Sequence, residues 1–192
     1  MVTRPRDCSW VPHGFENITS QDFKCASDPE NDYNCIAWAA GKTDTFWWPR
    51  PLAPYHWPHG LPRHPLQVAE TIPNFIAAFK TEGYRPCRSG RFSFRYEKIA
   101  LYVADNGRPK HAARLLPTGV WSSKLGPDED IEHRTLKCIE GKKYGKVRVY
   151  LKRKWPEDQT PKLLIFRSFL SKLFGRAHGK FSPIPKENPT AS

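Results

Sequence analysis

The chain has 192 residues, 39% of them hydrophobic and 13% aromatic, enough to bury one ordinary core. No apolar run approaches the ~20 residues needed to span a bilayer, no repeat period is visible, and the N-terminus has no signal-peptide core. The 31 Lys and Arg against 19 Asp and Glu give +12, of which the segment from Lys152 to Ser192 carries nine basic and three acidic residues. Basicity is first a property of that tail, and it suits an anionic surface or an acidic partner.

Residues 1–30 read as irregular. Asn34 is a candidate N-cap and Gly41 a candidate stop for a short helix, Cys35 to Ala40, which sets Cys35 in the first turn. Residues 42–66, rich in Pro and Trp, read as an ordered loop held by ring packing. Thr71, Pro73 and Gly83 bracket a second helix with an apolar stripe at Ile72, Phe75, Ile76 and Phe79. Strands follow at 99–103, 111–116 and 120–125, with Asn106-Gly107 and Thr118-Gly119 as turns and 126–130 as a loop. A last strand covers 147–151, and the tail stripe from Leu163 to Phe174 has helical spacing with Arg167, Lys172 and Arg176 off it. Helices first and then an antiparallel meander mean α+β. The boundaries are an irregular segment over 1–30, an α+β domain over 31–153 and a basic tail over 154–192, its end disordered.

Five cysteines without a CxxC pair argue for reduced thiols in a cytosol and against structural zinc. His56, His59 and His64 match no zinc spacing, so no metal and no cofactor is expected.

The chemistry centres on Cys35. A helix start lowers a thiol's pKa, an imidazole within reach takes its proton, and first-turn amides serve an oxyanion. The same six residues also make an ordinary core helix, so the binding reading stays open.

Several segments resemble an uncharacterised bacterial family over about residues 30–153. They are Asn34-Cys35-Ile36-Ala37-Trp38-Ala39, Trp47-Trp48-Pro49, Tyr96 to Tyr102, His111-Ala112-Ala113-Arg114, Trp121 to Gly126, Asp130-Ile131-Glu132-His133 and Tyr144-Gly145. The layout is similar to the papain-like superfamily, with a Cys on a helix and a His on a later strand. The resemblance implies a papain-like α+β fold, with the Cys35 helix and a second helix against an antiparallel sheet. It implies cleavage or transfer of amide, peptide or ester bonds through an acyl-enzyme. Two registers follow. In one, Lys98 stands where the base opens the first strand and His111 is the third member. In the preferred one, His111 is the base and Ser122, Ser123 or Asp130 orients it. Trp38 and Trp121 are pocket-wall candidates, Lys124 a holder of a substrate carboxylate or phosphate, and His133 a further site residue. The alternative is a catalytically inactive binding module on the same scaffold, its basic tail contacting a membrane, nucleic acid or a partner protein. No nucleic-acid module is recognised in the sequence, and oligomeric state is not set by it.

Overall fold

The computed structural model describes residues 7–63 and 69–161. The expected tail helix and the basic residues from Lys162 onward lie outside the described residues, as does His64.

A seven-stranded sheet in the order β1-β8-β7-β6-β5-β9-β4 carries the chain. Its members are β1 (Phe23–Cys25), β4 (Arg85–Cys87), β5 (Tyr96–Val103), β6 (Pro109–Leu115), β7 (Trp121–Lys124), β8 (Asp130–His133) and β9 (Lys146–Lys154). Every pairing in it is antiparallel. The meander β5–β8 is the predicted one, extended by β8, while β9 returns to the free side of β5. Two-residue strands β2 (Phe46–Trp47) and β3 (Tyr55–His56) pair parallel to each other in the Pro/Trp segment.

The helices start and stop where their capping residues dictate. α2 (Cys35–Ala40) begins because the Asn34 side chain accepts from the Ala37 N–H at 3.0 Å, and it ends at Gly41, whose φ of 83° is left-handed. Asn34 also ties the helix to the next segment, since its amide donates to the Trp47 carbonyl at 3.0 Å. α3 (Ile72–Thr81) is capped by Thr71, with Pro73 in its first turn. Its buried Asn74 donates to the Pro62 and Ala69 carbonyls, pinning the Pro/Trp segment beneath it. Trp47 and Trp57 pack on Phe79 and Phe75, so ring contacts hold that segment, as its composition predicts.

Strand alternation divides the core in two. On one face Ile99, Leu101, Ala112 and Leu151 meet α2 and α3. On the other, Ala100, Tyr102, Ala113 and Leu115 meet the N-terminal segment.

Two expectations are corrected here. Residues 1–30 are not all irregular: α1 (Val11–Gly14) and β1 fold onto the sheet, and Val11, Phe15 and Ile18 are buried. Nor are all five thiols free. Pairing of β1 with β8 brings Cys25 beside Cys8 with Cα atoms 5.9 Å apart, and the two form a disulfide. Cys35, Cys87 and Cys138 are free. Among the described residues no helix is long and apolar enough to cross a membrane.

Candidate active site

The ladder between β6 and β7 covers only Arg114↔Ser122 and Leu115↔Trp121, whereas β7 pairs with β8 along its whole length. Ser123 and Lys124 therefore belong to the β7–β8 ladder alone, beside the start of β6. The site residues predicted from sequence fall around this place, on both faces of the sheet.

On the α2 face stand Cys35, Trp38, Lys124 and Asp130. Burial pushes the Cys35 thiol up to about 11, against the pull of the backbone N–H groups of Ala112, Cys35 and Ile36 and of the Lys124 charge. The Trp38 indole donates to Ser122 Oγ at 3.2 Å, and the Arg114 guanidinium lies 5.7 Å above the Trp38 ring. Lys124 is fully buried; its ammonium bonds the Asp128 carbonyl and sits 5.1 Å above the Tyr33 ring. Burial lowers its pKa, while Asp130 and the neighbouring carboxylates oppose the shift. Asp130 accepts from the Tyr33 hydroxyl at 2.8 Å, and its second oxygen is buried without a hydrogen-bond partner. Burial raises this carboxyl above the usual range.

On the opposite face stand His111, Ser123, Trp121 and His133. Ser123 Oγ lies 3.0 Å from His111 Nε2 and 2.9 Å from His133 Nε2. His133 Nδ1 lies 2.9 Å from the Thr135 carbonyl. Burial drives His133 down to about 4, and it holds His111 well below the usual imidazole range, so both rings are neutral at pH 7. Tautomers then follow from the end of the chain of bonds. A carbonyl only accepts, so His133 carries its proton on Nδ1 and its Nε2 accepts from the Ser123 hydroxyl. Ser123 Oγ in turn accepts from Nε2–H of His111. The lone pair of His111 is thereby on Nδ1, a buried atom with no hydrogen-bond partner. The Tyr144 ring stacks on the imidazole at 4.0 Å and 10°, and the Tyr102 ring meets it edge-on at 5.3 Å.

Of the three orienting candidates, only Ser123 bonds His111. Ser122 serves Trp38, and Asp130 serves Tyr33. Trp121 is buried in the His111 face, and Lys98, the other candidate base, donates to the Ser89 carbonyl at 3.0 Å. Lys98 pairs with Lys152 and Tyr102 with His111, four residues apart along β5, so Lys98 is roughly 13 Å from the imidazole's level. No hydrogen bond joins Cys35 to His111. The sulfur feels the amide of Ala112 from one face, while the imidazole of the preceding residue projects from the other. Tyr144 bridges the two in electrostatic terms: it stacks on His111, and burial followed by the charges of Cys35 and Asp128 raises its hydroxyl pKa.

Sequence reasoning missed Tyr144, Tyr33 and the Thr135 carbonyl. Tyr33 had a signal, since it directly precedes the cap of the Cys helix. Tyr144 stands before a glycine that only a left-handed turn requires: Gly145 has φ 79°, and a Cβ there would lie 2.1 Å from the Val103 carbonyl oxygen.

A family model described as a domain of unknown function (DUF7689) matches residues 24–152. No curated protein and no solved structure matches the chain.

Proposed function

For this chain, which belongs to the DUF7689 family of unknown function, we propose cysteine-dependent cleavage or transfer of an amide, peptide or ester acyl group on a papain-like layout. The carrying observation is the lone pair on His111 Nδ1, left buried and unpartnered by a relay that fixes it from the other ring nitrogen. A nitrogen in that state is a proton acceptor at neutral pH. It belongs to the residue adjoining Ala112, whose amide acts on the Cys35 sulfur.

Because the thiol and imidazole are both neutral at rest, the proton moves with the attack rather than before it. The Cys35 sulfur bonds the carbonyl carbon and the carbonyl electron pair moves to oxygen beside the amides near Cys35; for the thiol proton to reach His111 Nδ1, the imidazole must turn from the opposite face toward the sulfur as substrate binds. Collapse breaks the bond to the leaving amine or alkoxide, which takes that proton. Water or a second nucleophile then gives a proton to Nδ1 and attacks the thioester, and the sulfur leaves and is reprotonated. Ser123 orients the imidazole, and Lys124 and Trp38 border the thiol on the substrate side.

A p-nitrophenyl ester with mass-spectrometric mapping tests this. Acyl transfer to Cys35 is expected, lost in Cys35→Ala and slowed about 100-fold or more in His111→Gln with the fold intact. Equal labelling of the Cys35→Ala chain, or a Cys35 no faster than Cys87, would overturn it.

A non-catalytic binding role for the same scaffold is the second reading. It is favoured by the missing thiol–imidazole bond and by full burial of His111 and Ser123. Cys35 chemistry indifferent to His111→Gln selects it.

A further inference from the structure

A second region, along the connection from β4 to β5 and the neighbouring end of β9, combines features that nothing in the thiol site uses. Residues 85–96 hold four arginines (Arg85, Arg88, Arg91, Arg95) and no carboxylate. All four are exposed. The nearest carboxylates in sequence are Glu82, half-buried and paired with Lys42 at 3.2 Å, and Glu97, buried under Arg114 and Arg153; Glu157 and Asp158 are exposed beyond Trp155. Across the sheet edge, β9 adds Lys152 and Lys154. Lys152 lies 4.6 Å above the Tyr96 ring, and the Arg85 guanidinium 5.9 Å from it.

Aromatic rings alternate with this charge. Phe92, Phe94 and Tyr96 recur at every second residue, with a bend at Phe94 and Arg95 leading into β5. Phe92 and Phe94 meet edge-on at 5.1 Å and are 39% and 54% exposed. They are two of the three large hydrophobic side chains left exposed among the described residues. Phe94 and Tyr96 line a cavity of about 590 Å³ with Arg95, Lys154, Trp155 and Thr160.

From this geometry we infer that the segment 91–96, with Lys152 and Lys154 of β9 beside it, is a binding site for single-stranded nucleic acid. Exposed rings in a row offer stacking faces to unpaired bases, and the interleaved cations match a phosphate every nucleotide. An acidic peptide would be met by the cations alone and would leave Phe92 and Phe94 without a partner. A duplex hides the base faces that the rings require. The inference is independent of the thiol chemistry and of Cys35.

Fluorescence anisotropy of the full-length protein with a labelled oligouridylate of about 12 nucleotides tests it, at about 50 mM and about 200 mM salt. The expected result is salt-dependent binding, weakened about tenfold by Phe94→Ala with the salt slope unchanged. Lys154→Glu is expected to weaken binding and flatten the slope by about one phosphate contact or more. Both positions are exposed, and circular dichroism of each variant checks the fold. No binding at the lower salt, binding unmoved by Phe94→Ala, or equal competition by polyglutamate or by a duplex of the same length would overturn the inference.

Discussion

The hydroxyl of Ser123 sits 3.0 Å from Nε2 of His111, and its other neighbour is a second imidazole, that of His133, at 2.9 Å. One serine therefore reads the tautomer of one ring and imposes that of the other. In the protein at pH 7, long-range ¹H–¹⁵N correlation should show His133 protonated on Nδ1 and His111 on Nε2. In Ser123→Ala both Nε2 atoms lose their partner in a sealed core, and stability should fall by about 1–3 kcal/mol in denaturant unfolding. A His111 protonated on Nδ1 in the parent chain would refute the relay.

His133 also makes stability depend on pH. Its folded pKa of about 4 lies below the ordinary 6.5, so the unfolded chain takes up a proton first as pH falls. Stability is undiminished above pH 6.5 and declines as pH drops through 6.5 toward 4, by roughly 3 kcal/mol for this ring alone. The downward shift of His111 acts in the same direction. Urea midpoints measured between pH 7.5 and 4 should trace that decline; a flat profile would count against burial of both rings.

With its thiol pushed up to about 11, Cys35 should be alkylated by iodoacetamide about tenfold faster for each pH unit gained between 7 and 10. A plateau already reached at pH 6 would instead reveal a standing thiolate–imidazolium pair. Peptide mapping separates Cys35 from Cys87 and Cys138.

Much of this layout was legible in the amino-acid sequence. Asn34, Gly41, Thr71 and Pro73 mark both longer helices because capping is local chemistry, and Asn106-Gly107 marks a hairpin for the same reason. The sequence singles out both His111 and Ser123, which lie 3.0 Å apart. The predicted loop over 126–130 runs into β8, where Asp130, Glu132 and His133 carry no apolar alternation to announce a strand; only burial against β1 and β7, a matter of tertiary partners, makes it one. The disulfide and α1 were hidden likewise, since they depend on the N-terminal segment folding back onto a sheet formed about a hundred residues later. The split between the two faces, which separates Lys124 and Asp130 from His111, requires the register of β6 against β7 and no residue pattern gives it.

Glu97 is fully buried, bonded to the Arg114 Nε and, at 2.7 Å, to the Arg153 Nε. Glu97→Gln would leave two guanidinium groups without a counter-charge and should cost about 3–5 kcal/mol. Arg114 also lies over Trp38, so the variant should shift Trp fluorescence as well. Unchanged thermal stability would show the cluster to be dispensable.

Gly145→Ala forces a methyl group into the Val103 carbonyl at a left-handed position and should destabilise by at least about 2 kcal/mol. The stacking of Tyr144 on His111 depends on that turn, so the imidazole carbon protons should lose their ring-current shift. Retention of that shift would show that the turn does not hold the tyrosine.

Cys8, Val11, Phe15 and Ile18 all precede residue 24, where the recognised domain begins, yet they roof the same apolar layer as Tyr144 and Leu125. A recombinant fragment trimmed to the matched span would shed that roof together with half of the only cystine among the described residues. Greasy side chains would then be bared on the side of the sheet that holds the two histidines. Expression clones of this chain are better started upstream of the homology limit, or they will report on a damaged molecule.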